Sequence, residues 1–298
     1  MRVAVIDVGS NTARLLVADV NADESIVPVA EERTYLRLGA EIERTGTLGE
    51  KKIAAAAATC AAFARRAAEL DVARATVIVT APGRQGTTAA ALLAALAEAT
   101  GLRARVLTAE DEGRLAYNGA VARATADLPE VVAVVDVGGG STEIVVGTPL
   151  LGAAWIRSAD VGSLRLTRAH LHDDPPTAAQ IAAAAAAVAG HLTDMRPPVP
   201  DLALAVGGSA RALTKIVGRR FAADDLDEAV KILSRRPAVK AERTFGITPD
   251  RAETLLAGAL LLAGASRVLG ASLELGRGGL REGAALELAS MREAVRAA

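Results

Sequence analysis

Two short segments, each with an aspartate before a run of small residues, are the first candidates for chemistry in this sequence. Residues 5–17, VIDVGSNTARLLV, align without a gap on residues 134–146, VVDVGGGSTEIVV. Both copies read as an apolar run, an aspartate, a turn of small residues and a second apolar run. Such self-similarity indicates an internal duplication, and the pattern predicts a β-hairpin in each copy.

The two predicted turns have the composition of a phosphate cradle. Small residues between two strands allow successive backbone N–H groups to point into one concavity, which binds phosphate without a lysine. Hydroxyl and amide side chains add hydrogen-bond donors. The alternative is that both are ordinary hairpin turns, but their duplication behind an aspartate favours phosphate. The candidate ligands are Gly9, Ser10, Asn11 and Thr12 in the first turn and Gly138, Gly139, Gly140, Ser141 and Thr142 in the second.

Other glycine-rich phosphate motifs do not fit these segments. A P-loop or a dinucleotide-binding fingerprint requires a helix that begins at the glycines, whereas each turn here is followed by a second strand-like run. The Gly-Lys-Ser/Thr ending of a P-loop is also absent. Both motifs are therefore disfavoured.

Three carboxylates accompany the turns and predict a bound cation. Asp7 and Asp136 end the first strand of their hairpins, and Glu143 follows the second turn. Carboxylates beside a phosphate repel it unless a cation lies between them, and Mg²⁺ binds one or two carboxylates together with phosphate oxygens and waters. A turn-capping role is the alternative for each aspartate. We therefore expect Mg²⁺ or another divalent cation at Asp7, Asp136 and Glu143.

A run of three acids, Glu110-Asp111-Glu112, lies where an apolar strand meets a predicted helix. Acids in the first turn of a helix usually interact favourably with its dipole. One of them could instead act as the general base toward an attacking water. The residues alone leave open which of the three does so.

Composition and charge exclude several classes of function. The 34 basic and 35 acidic residues give a net charge of -1, which does not favour a nucleic-acid binder or a membrane-surface protein. The N-terminus enters a strand-like run without the pattern of a signal peptide. We therefore expect a soluble, cytoplasmic protein. Five arginines could line a polyanion path or be solvated: Arg211, Arg219, Arg220, Arg277 and Arg281.

The elements that must position these residues alternate between strands and helices, as in an α/β layer. At 298 residues the chain exceeds the usual size of one hydrophobic core, which predicts two domains. We place the first at residues 1–124 and the second at residues 125–282. A closing helix over residues 283–298 is expected to pack back on the first domain.

The motifs together resemble, in order and spacing, the Ppx/GppA phosphatase family of the actin-like ATPase superfamily. Residues 7–12 resemble its first phosphate motif, and residues 136–143, DVGGGSTE, resemble its second and most specific one. Residues 112–114 match the acidic segment whose last glutamate is the family's base, so the resemblance assigns that role to Glu112. Residues 162–167, residues 279–283 and the set Gly207, Gly208 and Ser209 are weaker matches, the last as phosphate ligands.

The resemblance implies a duplicated actin-like (ribonuclease H-like) α/β fold with an interdomain cleft, and a homodimer. It implies metal-dependent release of orthophosphate from inorganic polyphosphate, with guanosine pentaphosphate as the alternative substrate. A phosphotransferase or a non-catalytic nucleotide-binding protein of the same fold are further alternatives. One stretch departs from the family. Arg84 matches an arginine of the family motif and is expected to bind phosphate, but Thr88 stands where the family usually has an asparagine. The resemblance is to a two-domain form of the family, for which we expect no additional C-terminal helical domain of the kind in longer members.

Overall fold

The computed structural model describes residues 1–124 and 127–291. The first part contains, in chain order, β1 (Arg2–Val8), β2 (Thr12–Val20), β3 (Ile26–Tyr35), α1 (Leu38–Thr45), α2 (Glu50–Glu69), β4 (Arg74–Val79), α3 (Ala81–Gln85), α4 (Ala89–Thr100), β5 (Ala104–Val106) and α5 (Ala109–Ala122). The second part contains β6 (Val132–Val137), β7 (Thr142–Thr148), β8 (Gly152–Ala159), α6 (Ser163–His170), α7 (Ala178–Leu192), β9 (Leu202–Val206), α8 (Gly207–Val217), β10 (Arg220–Phe221), α9 (Ala223–Ser234), α10 (Ala238–Phe245), α11 (Pro249–Leu269), β11 (Leu273–Leu275) and α12 (Leu280–Ser290).

The two sheets repeat one topology, which confirms the α/β fold class inferred from the duplicated motif. The first sheet has the order β3-β2-β1-β4-β5 and the second the order β8-β7-β6-β9-β11-β10. In both, an antiparallel hairpin is followed by two parallel strands, and the second sheet adds the short antiparallel edge strand β10. Each copy of the aligned segment is the predicted β-hairpin, and its aspartate is the last residue but one of the first strand.

Each sheet builds an aliphatic core with its helices. The first core packs β1, β2 and β4 against α2 and α4 through residues such as Ile6, Phe63 and Leu92. The second packs β6 and β7 against α7, α9 and α11, with Leu261 fully buried. Helix α11 is long and apolar enough to cross a membrane by length and composition, and 78% of its most apolar stretch is buried inside the protein.

Two helices, α5 and α12, lie between the sheets. Leu115 of α5 and Leu288 of α12 pack on the face of the first sheet opposite its α2–α4 core, whereas Tyr117 of α5 packs on the second sheet. The helices cross closely, since a Cβ on Gly283 would lie 1.9 Å from the Leu115 carbonyl oxygen. Helix α12 begins three residues before the predicted residue 283 and ends at Ser290. The rest of that predicted helix, residues 292–298, and the start of the second predicted domain, residue 125, lie outside the described residues.

Candidate functional site

The two hairpin turns lie face to face between the two halves of the chain. The same backbone hydrogen bond closes both turns: Gly9 N–H donates to Thr12 O at 2.9 Å, and Gly138 N–H donates to Ser141 O at 3.0 Å. A Cβ on Gly140 would lie 2.7 Å from Ser10 Oγ, so the turns are in contact. Both of them line one cavity of about 140 Å³.

This cavity brings together most of the residues that the sequence identified as ligands. Those that line it are Asp7, Gly9, Ser10, Asn11, Thr12, Glu112, Asp136, Gly138, Gly139, Gly140, Ser141, Gly207 and Gly208. The hydroxyl oxygen of Ser10 is buried without a hydrogen-bond partner in the described part of the chain. Unpaired buried polar atoms are rare in proteins and indicate an absent ligand or water.

Four predicted residues lie behind the cavity wall instead. The Thr142 hydroxyl donates to Val161 O at 2.7 Å, and the Ser209 hydroxyl accepts from Arg251 Nη1 at 3.0 Å. Glu143 is 2% exposed and accepts from Ser158 Oγ at 2.8 Å. Arg84 contacts Glu112. In this structure Thr142 and Ser209 support the wall, because their hydroxyl groups are already engaged by protein atoms.

The N-terminus of helix α8 contributes a third phosphate-binding element. Gly207 has a positive φ of +86°, and a Cβ there would lie 2.7 Å from Asp136 Oδ1. A glycine is therefore required at this close approach. Gly207 and Gly208 place the first turn of an eleven-residue helix at the cavity wall. The unpaired N–H groups and positive dipole of a helix N-terminus favour an anion there.

Burial raises the pKa of the carboxyl groups at the site. The pKa of Glu112 is raised to about 7 and that of Asp136 to about 6, in both cases mainly because burial penalises the charged form. Burial likewise raises the pKa of Asp7 and of Glu143. A nearby cation or a shared proton would stabilise these groups.

The residues present fit a magnesium site that is completed by other ligands. Asp136 and Glu143 are cross-strand partners in the second hairpin, and Asp7 Oδ1 is buried without a hydrogen bond in the described residues. Within residues 1–124 and 127–291, no three acidic, histidine or cysteine side chains lie together as a metal site. Mg²⁺ commonly takes one or two carboxylates and fills its remaining positions with water and phosphate, which agrees with this donor set.

Arginines form the cationic part of the cavity, and the motif alignment identified few of them. Arg14, Arg33, Arg211, Arg251 and Arg281 all line it. Arg281 pairs with Glu31 at 3.0 Å. The pKa of Arg251 is lowered to about 10 and that of Arg14 is lowered as well, first by burial. Charges withdrawn from water normally have a partner of opposite sign, so an anion bound in the cavity would stabilise these two guanidinium groups.

The five arginines that could line a polyanion path lie at two different places in the structure. Arg211 and Arg281 line the site cavity. Arg219, Arg220 and Arg277 line a different cavity beside β10 and β11. Of the two alternatives for these five arginines, a place in the site cavity therefore holds for Arg211 and Arg281 only, because β10 and β11 lie at the other end of the second sheet from β8.

Glu112 is the acid of the predicted run that reaches the cavity. It lies in the first turns of α5, whose N-cap is Thr108. Glu110 is exposed, and Asp111 is engaged by Thr108 and Arg114. Arg84 Nη1 lies 2.8 Å from Glu112 Oε2 and also donates to Leu107 O at 2.8 Å. Arg84 itself does not line the cavity.

Two contacts join the halves of the chain beside the cavity. Arg37 Nη2 lies 2.6 Å from Asp250 Oδ1, and the hydroxyl groups of Tyr35 and Thr248 are 3.1 Å apart. Tyr35 also lines the cavity, and the Arg33 guanidinium lies 5.1 Å from the centre of its ring. Sequence patterns could not predict these contacts, because 213 positions separate the paired residues.

A sequence profile of the Ppx/GppA phosphatase family matches residues 16–291. The chain belongs to this family. Among its relatives are Exopolyphosphatase 2 of Mycobacterium tuberculosis, 32% identical over 87% of this chain and 88% of that protein, and Exopolyphosphatase 1 of Mycobacterium bovis, 29% identical over 88% and 80%. This Ppx/GppA member is therefore an enzyme of a hydrolase family.

Solved structures agree with this assignment. The crystal structure of the Aquifex aeolicus Ppx/GppA family member covers 96% of this chain and 97% of its own, with a TM-score of 0.82 and 26% identity. The two-domain actin-like ATPase fold expected from the motifs is thereby confirmed.

Proposed function

We propose that this enzyme removes the terminal phosphate of inorganic polyphosphate by metal-dependent hydrolysis of a phosphoanhydride bond. The observation that carries the proposal is the pair of half-buried guanidinium groups of Arg14 and Arg251, for which the described residues provide no salt bridge. They share a cavity with two phosphate-type turns and with Glu112. An anion with several negative charges would pair with both guanidinium groups and with the N–H groups together. The relatives named exopolyphosphatases support the same substrate.

In the proposed mechanism the chain positions the terminal phosphate between the turns and supplies a base. Glu112, with its raised pKa, takes the proton of the attacking water at a carboxylate oxygen. The turn N–H groups, the α8 N-terminus and Arg14 and Arg251 stabilise the charge on the equatorial oxygens. Asp136 and Glu143 would hold Mg²⁺, which neutralises part of the phosphate charge when it is bound. Asp7 would provide a further oxygen ligand for the ion.

Guanosine pentaphosphate is the second candidate substrate, and one observation favours it. Tyr35 is an aromatic residue at the cavity lining, and aromatic rings provide stacking surfaces for bases. One face of its ring is already covered by Arg33. Inorganic polyphosphate, which needs no base platform, therefore remains the first candidate.

A substrate panel tests the proposal directly. Phosphate release is measured with polyphosphates of graded length, guanosine pentaphosphate and ATP, with magnesium and in excess chelator. We expect release from polyphosphate that requires magnesium. Hydrolysis of guanosine pentaphosphate alone would select the second candidate, and transfer from ATP to a hydroxyl acceptor would indicate a kinase. Binding without release would indicate a non-catalytic protein.

Variants of the two metal-site carboxylates test the proposed role of the cation. Asp136→Asn and Glu143→Gln should raise the magnesium concentration needed for half-maximal activity and lower the maximal rate. The control is Ser158→Ala, which leaves both carboxylates in place and removes only the 2.8 Å hydrogen bond to Glu143. Its effect should be the smaller one. Full activity of the unmodified enzyme in chelator would remove the metal from the proposal.

A further inference from the structure

Helix α1 is bonded to the first hairpin turn through its own backbone. The N–H groups of Leu36 and Arg37 both donate to Asn11 O at 3.0 Å. The N–H group of Gly39 donates to Ser10 O at 2.8 Å, and a Cβ on Gly39 would lie 2.8 Å from the Cβ of Ser10. Because no space separates the helix from the turn, we expect the two to move as one unit.

Arg37 has a strained backbone at the start of α1. Its φ of +54° lies in the left-handed region, which residues with a branched or bulky side chain rarely adopt. Such residues persist only where neighbouring contacts hold them, and they occur often at functional sites. The guanidinium of Arg37 donates to Asp250 Oδ1 from both Nε and Nη2, at 2.9 and 2.6 Å. The strained backbone and this ion pair together indicate a role for Arg37.

Asp250 connects Arg37 to one of the guanidinium groups of the site. It lies in the first turn of α11, directly before Arg251. Its side chain is 15% exposed, so salt screens this pair less than a fully exposed one. A chain of contacts therefore runs from the first turn through Arg37 and Asp250 to the residue next to Arg251.

Glu43, at the other end of α1, connects it to the second hairpin turn. Glu43 Oε1 lies 3.5 Å from Arg165 Nε, and Glu43 Oε2 lies 3.6 Å from Arg168 Nη1. Both arginines belong to α6, whose first residues are bonded to that turn. The N–H groups of Leu164 and Arg165 donate to Gly139 O at 3.0 and 3.1 Å. Helix α1 thus joins the first turn both to Arg251 and to the second turn.

We infer that Arg37 and Glu43 are positioning residues, through which α1 holds Arg251 and the second turn at the distance from the first turn that a terminal phosphate requires. The inference rests on the proposed function for the identity of the anion, but its binding tests do not require turnover. Neither side chain lines the cavity, so both act through the groups that they hold. When such a contact is lost, the population of the binding-competent arrangement falls, and the apparent affinity falls by the same factor.

The first test removes the ion pair of Arg37 without adding strain. Glycine adopts the left-handed conformation readily, so Arg37→Gly should fold. In the inactive Glu112→Gln background, calorimetric titration should show tripolyphosphate binding weakened about 5- to 30-fold, as expected for loss of a charged hydrogen-bonded contact. The control is Arg44→Gln, an exposed arginine of α1 without a salt bridge in the described residues. Its affinity should stay within about twofold. Unchanged affinity in Arg37→Gly would overturn the inference.

The second test asks whether Arg37 acts through Arg251. If it does, Arg37→Gly should add at most about a twofold loss of affinity once Arg251→Gln is in place. In the active enzyme, Arg37→Gly should raise KM and leave kcat within about twofold, because bound substrate restores the arrangement. Losses that multiply in full, or a lower kcat with an unchanged KM, would contradict a positioning role.

The third test exchanges the charges at the other end of α1. Glu43→Lys puts like charges beside Arg165 and Arg168 and should weaken tripolyphosphate binding more than Glu43→Gln does. Adding Arg168→Glu restores an ion pair and should recover part of the affinity. A folded double variant without recovery would contradict the role of Glu43. If the unmodified enzyme hydrolyses none of the panel, yet its tripolyphosphate affinity depends on Arg37 and Glu43, the proposed function fails and this inference holds.

Discussion

Arg84 Nη1 lies 2.8 Å from Glu112 Oε2, and of these two residues only Glu112 lines the cavity. The resemblance to the family predicted that Arg84 binds phosphate, whereas in this structure its guanidinium contacts the carboxylate of the candidate base. Arg84 also donates to Leu107 O, one residue before the N-cap of α5. It therefore ties the short helix α3 to the start of the helix that carries Glu112.

Glu112→Gln should abolish turnover and leave polyphosphate affinity nearly unchanged. The amide keeps the shape of the side chain but cannot accept the proton of the water, and loss of a general base typically costs about a hundredfold to ten-thousandfold in rate. Single-turnover phosphate release and equilibrium binding measure the two effects. Glu110→Gln, an exposed neighbour on the same helix, is the control. The assignment is wrong if Glu110→Gln or Asp111→Asn abolishes release while Glu112→Gln does not.

Arg84→Gln should lower kcat and leave KM within about twofold, because we expect Arg84 to act through Glu112 and not on the phosphate. The loss should be small in a Glu112→Gln background, since the partner is already changed. Arg84→Lys should recover part of the rate. Arg251→Gln provides the contrast, and its KM should rise. A large rise in KM for Arg84→Gln would restore its predicted role as a phosphate ligand.

As the pH is lowered, the activity should begin to fall at a pH well above the ordinary pKa of a glutamate. Burial raises the pKa of Glu112 to about 7, and the base must be deprotonated to act, so kcat/KM should decrease as the pH falls through this range. Arg84 lowers that pKa. Removing its charge in Arg84→Gln should therefore move the acid limb to higher pH. A limb that stays near pH 4.5 in both proteins would contradict the role of Glu112.

Asp136→Asn should stabilise the metal-free protein at pH 8. The pKa of Asp136 is raised from 3.8 to about 6 in the folded protein, so its contribution to stability is present below pH 3.8 and is lost as the pH rises through 6. Removing the charge should raise the free energy of unfolding by on the order of 2–3 kcal/mol at pH 8 and by less at pH 5. Thermal unfolding in chelator measures this effect. Added Mg²⁺ should then stabilise the unmodified protein more than the variant.

Short polyphosphates should be the better substrates. The cavity is about 140 Å³ in volume, and three of the five arginines considered for a polyanion path lie outside it. Phosphates beyond the cavity gain little from binding, so kcat/KM should level off after a few units. Added salt should weaken long and short chains to similar degrees. A steady rise of kcat/KM across polymers of hundreds of units would show a long basic track that this cavity does not provide.

The motif sequences predicted the local part of the site because their hairpins are closed by neighbours in the chain. The hydrogen bonds from Gly9 to Thr12 and from Gly138 to Ser141 each span three residues. Apolar alternation, small turn residues and the aspartate at the strand end are sufficient to specify such a unit. The duplication likewise predicted that the two turns have related roles.

Other site residues could not be assigned in this way because their positions depend on packing between distant elements. Arg251 lies in the first turn of the long helix α11 and reaches the cavity beside Ser209, 42 positions earlier in the chain. Arg84 matched the family motif, yet α3 packs so closely on Val106 that a Cβ on Gly83 would lie 2.6 Å from its side chain. That packing places Arg84 at Glu112.

The sequence by itself determined the duplicated hairpins and the α/β fold class, and it predicted the set of acids and turns from which the candidate site is built. These features follow from periodicity and short-range hydrogen bonding, which are encoded within about ten residues. Only the tertiary structure decided which acid of the run 110–112 faces the cavity, which arginines lack a counter-charge, and which predicted ligands support the wall instead. Those outcomes depend on how α5, α8 and α11 pack against the sheets. Packing decides how far each charged group is withdrawn from water, and a group withdrawn from water requires a partner of opposite charge.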